Sequence, residues 1–148
     1  MEIKQVSVGV FKAWLALSRL KSQLIQDNVL TKAELNELSL EACYMHEDYE
    51  SGYCITEEGE MVCLHTLVRG RGKALVQHAI AHGATSLICY SGRLVEFYER
   101  NGFVVEERVD VPLCKEQKIF IMRTLTKEEQ LVRYVQAIED NAVDWMTG

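Results

Sequence analysis

The stretch Leu64 to Gly83, LHTLVRGRGKALVQHAIAHG, constrains the fold more than any other. An apolar strand runs into a loop carrying Gly70 and Gly72, and the pattern predicts a helix from about Lys73. Two glycines one residue apart let the backbone approach a ligand without a Cβ in the way, and the free N–H groups of the next helix point back at it. The helix dipole favours an anion at that end, and Arg69, Arg71 and Lys73 add formal positive charge in a chain of net charge -6. A phosphorylated ligand is the expectation. A Walker loop is disfavoured, because the spacing differs and Ala74 stands where the magnesium-binding hydroxyl belongs. The dinucleotide fingerprint is also disfavoured, since Leu75 replaces its third glycine and no acidic residue follows at the expected distance.

What remains is a short strand, Gly-x-Gly and an amphipathic helix, and this resembles the acetyl-CoA loop of the GCN5-related N-acetyltransferase (GNAT) family, Gln/Arg-x-x-Gly-x-Gly/Ala. A second stretch, Glu96-Phe97-Tyr98-Glu99-Arg100-Asn101-Gly102-Phe103, is similar to that family's FYE-x-x-GF segment. The two motifs span Leu64 to Phe103. The resemblance implies an α+β fold: a mixed, mostly antiparallel central sheet flanked by helices. It further implies acetyl-CoA (CoA) as cofactor and transfer of its acetyl group to a primary amine, on a small molecule or a protein. Tyr98 corresponds to the general acid that protonates the leaving thiolate. Backbone groups of Leu64, Thr66 and Val68 correspond to the contacts with the pantetheine arm, and Arg69, Gly70, Arg71, Gly72, Lys73 and Ala74 to the pyrophosphate cradle. Ser91 takes the place of a cofactor-contacting asparagine, and Leu67 that of the motif's Gln or Arg. These two departures keep a second reading open, a catalytically degenerate GNAT-fold protein with a structural or partner-binding role. For the base that deprotonates the amine, the candidates are Glu60 and His65, the latter with an ordinary pKa near 6.5.

The remaining sequence agrees with one core-forming unit. At 148 residues and 48% hydrophobic, the chain is long enough for one substantial core and short for two. We read 1–125 as the acetyltransferase-like part and 126–148 as a helical extension of the same domain. Residues Glu2–Ser7 suggest a strand. From Val8 to Asp27, Val10, Trp14, Leu17, Leu20 and Leu24 recur at helical spacing and predict the face that packs on the sheet. Thr31 with Glu34, and Thr126 with Glu129, are capping boxes. Glu41–Asp48 is ambiguous between strand and loop. Gly52–Thr56 and Met61–Thr66 read as a hairpin, Thr85–Tyr90 as a strand buried on both faces, and Arg93–Asn101 as a helix. Phe103–Val111 before Pro112, and Lys118–Leu125, read as the last strands. A final helix carries the apolar stripe Leu131, Val135, Ile138, Ala142 and Trp145, expected to fold back on the domain or to serve a homodimer.

Charge and cysteine usage exclude other classes. An acidic chain with one short basic cluster is not built for nucleic acid. No run reaches the ~18 apolar residues of a membrane span, and no export signal is evident, so a cytoplasmic protein with no membrane partner is expected. Cys43, Cys54, Cys63, Cys89 and Cys114 are an odd set without disulfide spacing, expected to be reduced. Cys43, His46, Cys54, Cys63 and His65 lack the paired C-x-x-C spacing of a zinc site, and no metal is expected.

Overall fold

Turn chemistry and apolar periodicity divide the chain into short elements. The computed structural model describes the backbone of residues 1–111 and 114–147, and their side chains apart from 114–117 and 142–147. Pro112 and the side chains of Cys114, Ala142 and Trp145 therefore lie outside the described residues. In order, the elements are β1 (Ile3–Val6), α1 (Val8–Lys21), α2 (Gln23–Asn28), α3 (Lys32–Asn36), β2 (Leu40–His46), β3 (Ser51–Thr56), β4 (Glu60–Thr66), α4 (Gly72–Ala81) and β5 (Ser86–Cys89). α5 (Gly92–Arg100), β6 (Phe103–Val111), β7 (Cys114–Thr124) and α6 (Lys127–Thr147) complete the chain. The seven strands form one sheet in the order β1-β2-β3-β4-β5-β7-β6. Every pairing is antiparallel except β4 with β5. This is the mixed α+β arrangement expected, with α6 as the extra terminal helix.

Two apolar layers cover the sheet. On one face α4 and α5 pack through Leu75, Val76, Ala79 and Tyr98 against Tyr53, Ile55, Met61, Leu87, Phe120 and Met122. On the other, Phe11, Leu15, Ile25, Val29 and Leu35 of the α1–α3 segment cover Cys43, Met45, Cys54, Val62 and Cys63. β7 alternates as expected, with Phe120 and Met122 buried and Ile119, Ile121 and Arg123 only partly so. Cys43, Cys54, Cys63 and Cys89 are free thiols.

Three helical expectations need correction. The face of α1 that packs on the sheet is Phe11, Leu15 and Ser18, while Val10, Trp14, Leu17, Leu20 and Leu24 are exposed. Both stripes have helical spacing, and the large aromatic Phe11, wholly buried, sits on the one the sheet covers. The segment 8–27 is also not one helix. Ser22 is extended, and its hydroxyl accepts from Ile25 N, starting α2 afresh. Finally, α6 begins at the predicted capping box, with Thr126 and Glu129 reciprocally bonded and Glu129 gripping Arg123. Beyond that anchor Leu131, Val135 and Ile138 face solvent, so the stripe does not fold back over its described side chains.

The glycine loop is held by charge. Arg71 donates to both carboxylate oxygens of Asp48, at 2.9 and 2.6 Å, and to Ser51 Oγ at 3.0 Å. Ser51 Oγ is bonded in turn to His46 Nδ1 at 2.6 Å, under the loop. Leu67 N donates to Glu50 O, closing the loop onto the β2–β3 turn. Arg71 holds the Asp48 carboxyl down at about 2, helped by the Glu50 N–H and opposed by desolvation. A folded-state pKa below the ordinary value of about 3.9 stabilises the fold above that pH, and the contribution disappears as pH falls through about 2. Asp48→Asn is therefore expected to cost about 1–3 kcal/mol at pH 6. In urea titrations at successive pH values, the gap to wild type should close between pH ~4 and ~2; an equal gap at both ends would show that the pair contributes nothing through its charge.

Candidate functional site

The site originates in a fault in β4. Gly52 faces His65 and Cys54 faces Val62, so Cys63 and Leu64 together oppose the single residue Tyr53. Cys63 takes φ 58, the left-handed region that a side chain disfavours, as the extra residue of a β-bulge. As a result Val62 and Cys63 both face the α1–α3 layer, and Leu64 turns to the α4–α5 layer. Beyond the bulge the strand no longer follows β5. The parallel pairing is confined to Glu60 with Ser86 and Met61 with Leu87.

A cavity of about 550 Å³ occupies the wedge between these strands. α2, α3 and the turn between them form its outer wall, Glu60 to Leu64 and Leu87 to Tyr90 its sides, and Tyr98 of α5 closes it from the opposite layer. The expectation that β5 is buried on both faces is corrected here: Ile88 is exposed because β4 has left its side.

Tyr98 is 8% exposed, with its ring edge-on to Phe97 and Phe103. Its hydroxyl has no hydrogen-bond partner among the described residues. Burial, and to a lesser degree Cys89, pushes its pKa up, so the phenol keeps its proton at neutral pH. Glu60 is half-buried on the same cavity, and desolvation, with the Glu58 charge second, raises its pKa. The wedge thus brings together Tyr98, Glu60 and Leu64. His65 is elsewhere. It is 4% exposed on the α1 side, its ring edge-on to Phe11, Nδ1 bonded to Cys63 O at 2.8 Å and Nε2 buried without a partner. Burial lowers its pKa, so it is a neutral packing imidazole and does not line the cavity.

The loop lies beyond the end of β4 and does not line the cavity. Thr66 Oγ1 accepts from Val68 N and donates to Val68 O, so the Val68 N–H is already engaged. Gly70 has φ 90, with open space where a Cβ would point. Gly72 is needed for another reason: its Cβ would lie 3.1 Å from Phe97 Cζ, so its bare Cα lets α5 pack against the start of α4. No side chain caps α4, leaving the N–H groups of Gly72, Lys73 and Ala74 available, with Arg69 and Lys73 exposed beside them. Arg71, by contrast, has its charge matched by Asp48. An uncapped N-terminus, an open glycine and two exposed cations without an ion-pair partner among the described residues fit a diphosphate. Ser91 starts α5 without a side-chain capping bond; its carbonyl accepts from Cys89 Sγ, and it does not line the cavity.

Sequence reasoning missed the carboxylates opposite Tyr98. Asp27, Glu34 and Glu37 line the cavity with Glu60. Their spacing from β4 in the chain carries no signal.

No protein-family model matches the chain, and no curated protein does. Among solved structures it is similar to one described as a "putative N-acetyltransferase from Lactobacillus plantarum", with 16% identity over 84% of this chain and 98% of that one, TM-score 0.49. It is also similar to N-acetylglutamate synthase from Neisseria gonorrhoeae, solved with coenzyme A and L-arginine, at 17% identity and TM-score 0.46. That match covers 84% of this chain but 33% of the synthase, and no residue's role is carried over from either structure.

Proposed function

We propose that the chain is an acetyl-CoA-dependent N-acetyltransferase acting on a primary amine by direct attack. The observation that carries this reading is the open wedge between β4 and β5, lined at one side by Tyr98, whose hydroxyl has no partner among the described residues, and followed along β4 by an uncapped helix N-terminus. The N–H groups of Gly72, Lys73 and Ala74, with Arg69 and Lys73, are suited to a diphosphate, and Leu64 and Thr66 to main-chain pairing with an extended arm. Bound acetyl-CoA supplies a thioester whose acyl carbon an amine can attack. Glu60, whose pKa is raised by burial and then by the Glu58 charge, is suited to accept the ammonium proton. Tyr98 holds a proton at Oη for a leaving thiolate. His65 is outside the wedge and is given no role in the chemistry. An open cavity supports this reading over a degenerate scaffold, whose wedge side chains would plug.

Calorimetric titration is expected to show CoA binding with Kd below about 1 mM, and no heat at that concentration would overturn the proposal. Tyr98→Phe should lower kcat by about 10²-fold or more while leaving CoA affinity and Tm nearly unchanged, because the hydroxyl it removes has no protein partner. A drop in Tm without a drop in kcat would make Tyr98 a packing residue only. In a pH–rate profile of kcat/KM, Glu60→Gln should abolish the acidic limb, which in the wild type should lie above the ordinary glutamate pKa of about 4.3.

A further inference from the structure

The cavity and the loop carry opposite charge. Asp27 comes from α2, Glu34 from α3, Glu37 from the residue that ends α3, and Glu60 from β4, and no Lys, Arg or His is among the lining residues. The nearby cation Arg19 lies behind the wall, where its guanidinium donates to the Val29 and Leu30 carbonyls, and it acts electrostatically on Glu34 and not on Glu60. Two of the carboxylates are held in place: Glu34 Oε1 accepts from Thr31 N at 3.0 Å and Asp27 Oδ1 from Gln23 Nε2 at 2.9 Å. Tyr98, more than nine-tenths buried, lines the same cavity, and its hydroxyl makes no hydrogen bond among the described residues.

We propose that the acceptor is a small polyamine, a flexible chain with at least two ammonium groups, bound with one terminal nitrogen toward Glu60 and Tyr98 and a further cation against Asp27, Glu34 and Glu37. The proposal rests on the acetyltransferase reading of the same wedge. One ammonium balances one carboxylate, so a monoamine leaves the exposed outer carboxylates without a counter-charge, while a second ammonium relieves the repulsion among them. An acceptor with its own carboxylate or phosphate is repelled. The cavity volume of about 550 Å³ is that of a small-molecule site. In the transfer, the terminal ammonium first gives one proton to Glu60 and becomes the neutral nucleophile; the nitrogen then forms the new N–C bond as the thioester C–S bond breaks, Tyr98 gives its proton to the departing thiolate, and the second proton shed by the nitrogen restores the Tyr98 phenol.

The test uses the full chain with spermidine, putrescine, hexylamine and a lysine-containing neutral peptide. Spermidine is expected to have a kcat/KM about tenfold or more above hexylamine at low salt, with the advantage shrinking as ionic strength rises. In the Asp27→Asn/Glu37→Gln double variant, at two exposed positions, that preference should fall toward one, through KM rather than kcat. Calorimetric titration of spermidine without cofactor separates the two layers. Spermidine binding without CoA binding upholds the cation site and removes the acetyltransferase reading. CoA binding with no preference for spermidine over hexylamine, or with the peptide as the better acceptor, overturns the polyamine proposal and leaves the enzyme reading standing.

Discussion

The parting of β4 from β5 is the constraint on which the site depends. A parallel pair carried to its full length would satisfy the backbone groups of both strands and leave no space between them. Here the ladder stops after Met61 and Leu87, because the extra residue at Cys63 bends β4 away. A non-glycine residue in the left-handed region costs on the order of 1–3 kcal/mol. Wholly buried side chains on both faces, among them Tyr53, Phe11, Leu75 and Met122, hold the strand in that conformation. The exposure of Ile88, the placement of Tyr98 across the gap and the approach of α2 and α3 from the opposite face follow from that single bend.

The second organising feature is a division of charge along β4. At its far end Arg69 and Lys73 are exposed beside an uncapped helix, while Arg71 is tied to Asp48 and Ser51 and braces the loop rather than presenting its charge. In the wedge the charged side chains among the described lining residues are carboxylates, Asp27, Glu34, Glu37 and Glu60. A cofactor with an anionic head and an acceptor with cationic nitrogens would each meet the opposite sign, and would be kept from the other's place by like charge.

Where the structure departs from the sequence reading, packing decides between alternatives that look equal along the chain. α1 is apolar nearly all round, so periodicity offers two stripes and only the sheet selects Phe11, Leu15 and Ser18. Ser22 is compatible with a helix interior, yet its hydroxyl caps α2 because the chain must turn there to bury Ile25. Gly72 was legible as a residue with a purpose, but the purpose in contact is Phe97, twenty-five positions on. His65 is chemically suited to be a base and is spatially excluded from being one in the wedge.

Local chemistry settled much by itself. The capping boxes at Thr31 and Thr126, the stop at Gly83, the hairpin turn at Glu57–Glu60 and the strand–glycine loop–helix unit all depend on residues within a few positions of one another, and the sequence displays such residues side by side. The wedge, the carboxylate wall and the neutralising of Arg71 depend on groups brought together from separate elements. A bulge changes which face two neighbouring residues take, and nothing in the identities of Cys63 and Leu64 marks it. Only the closing of the sheet beneath both helical layers turns that change of face into a cavity.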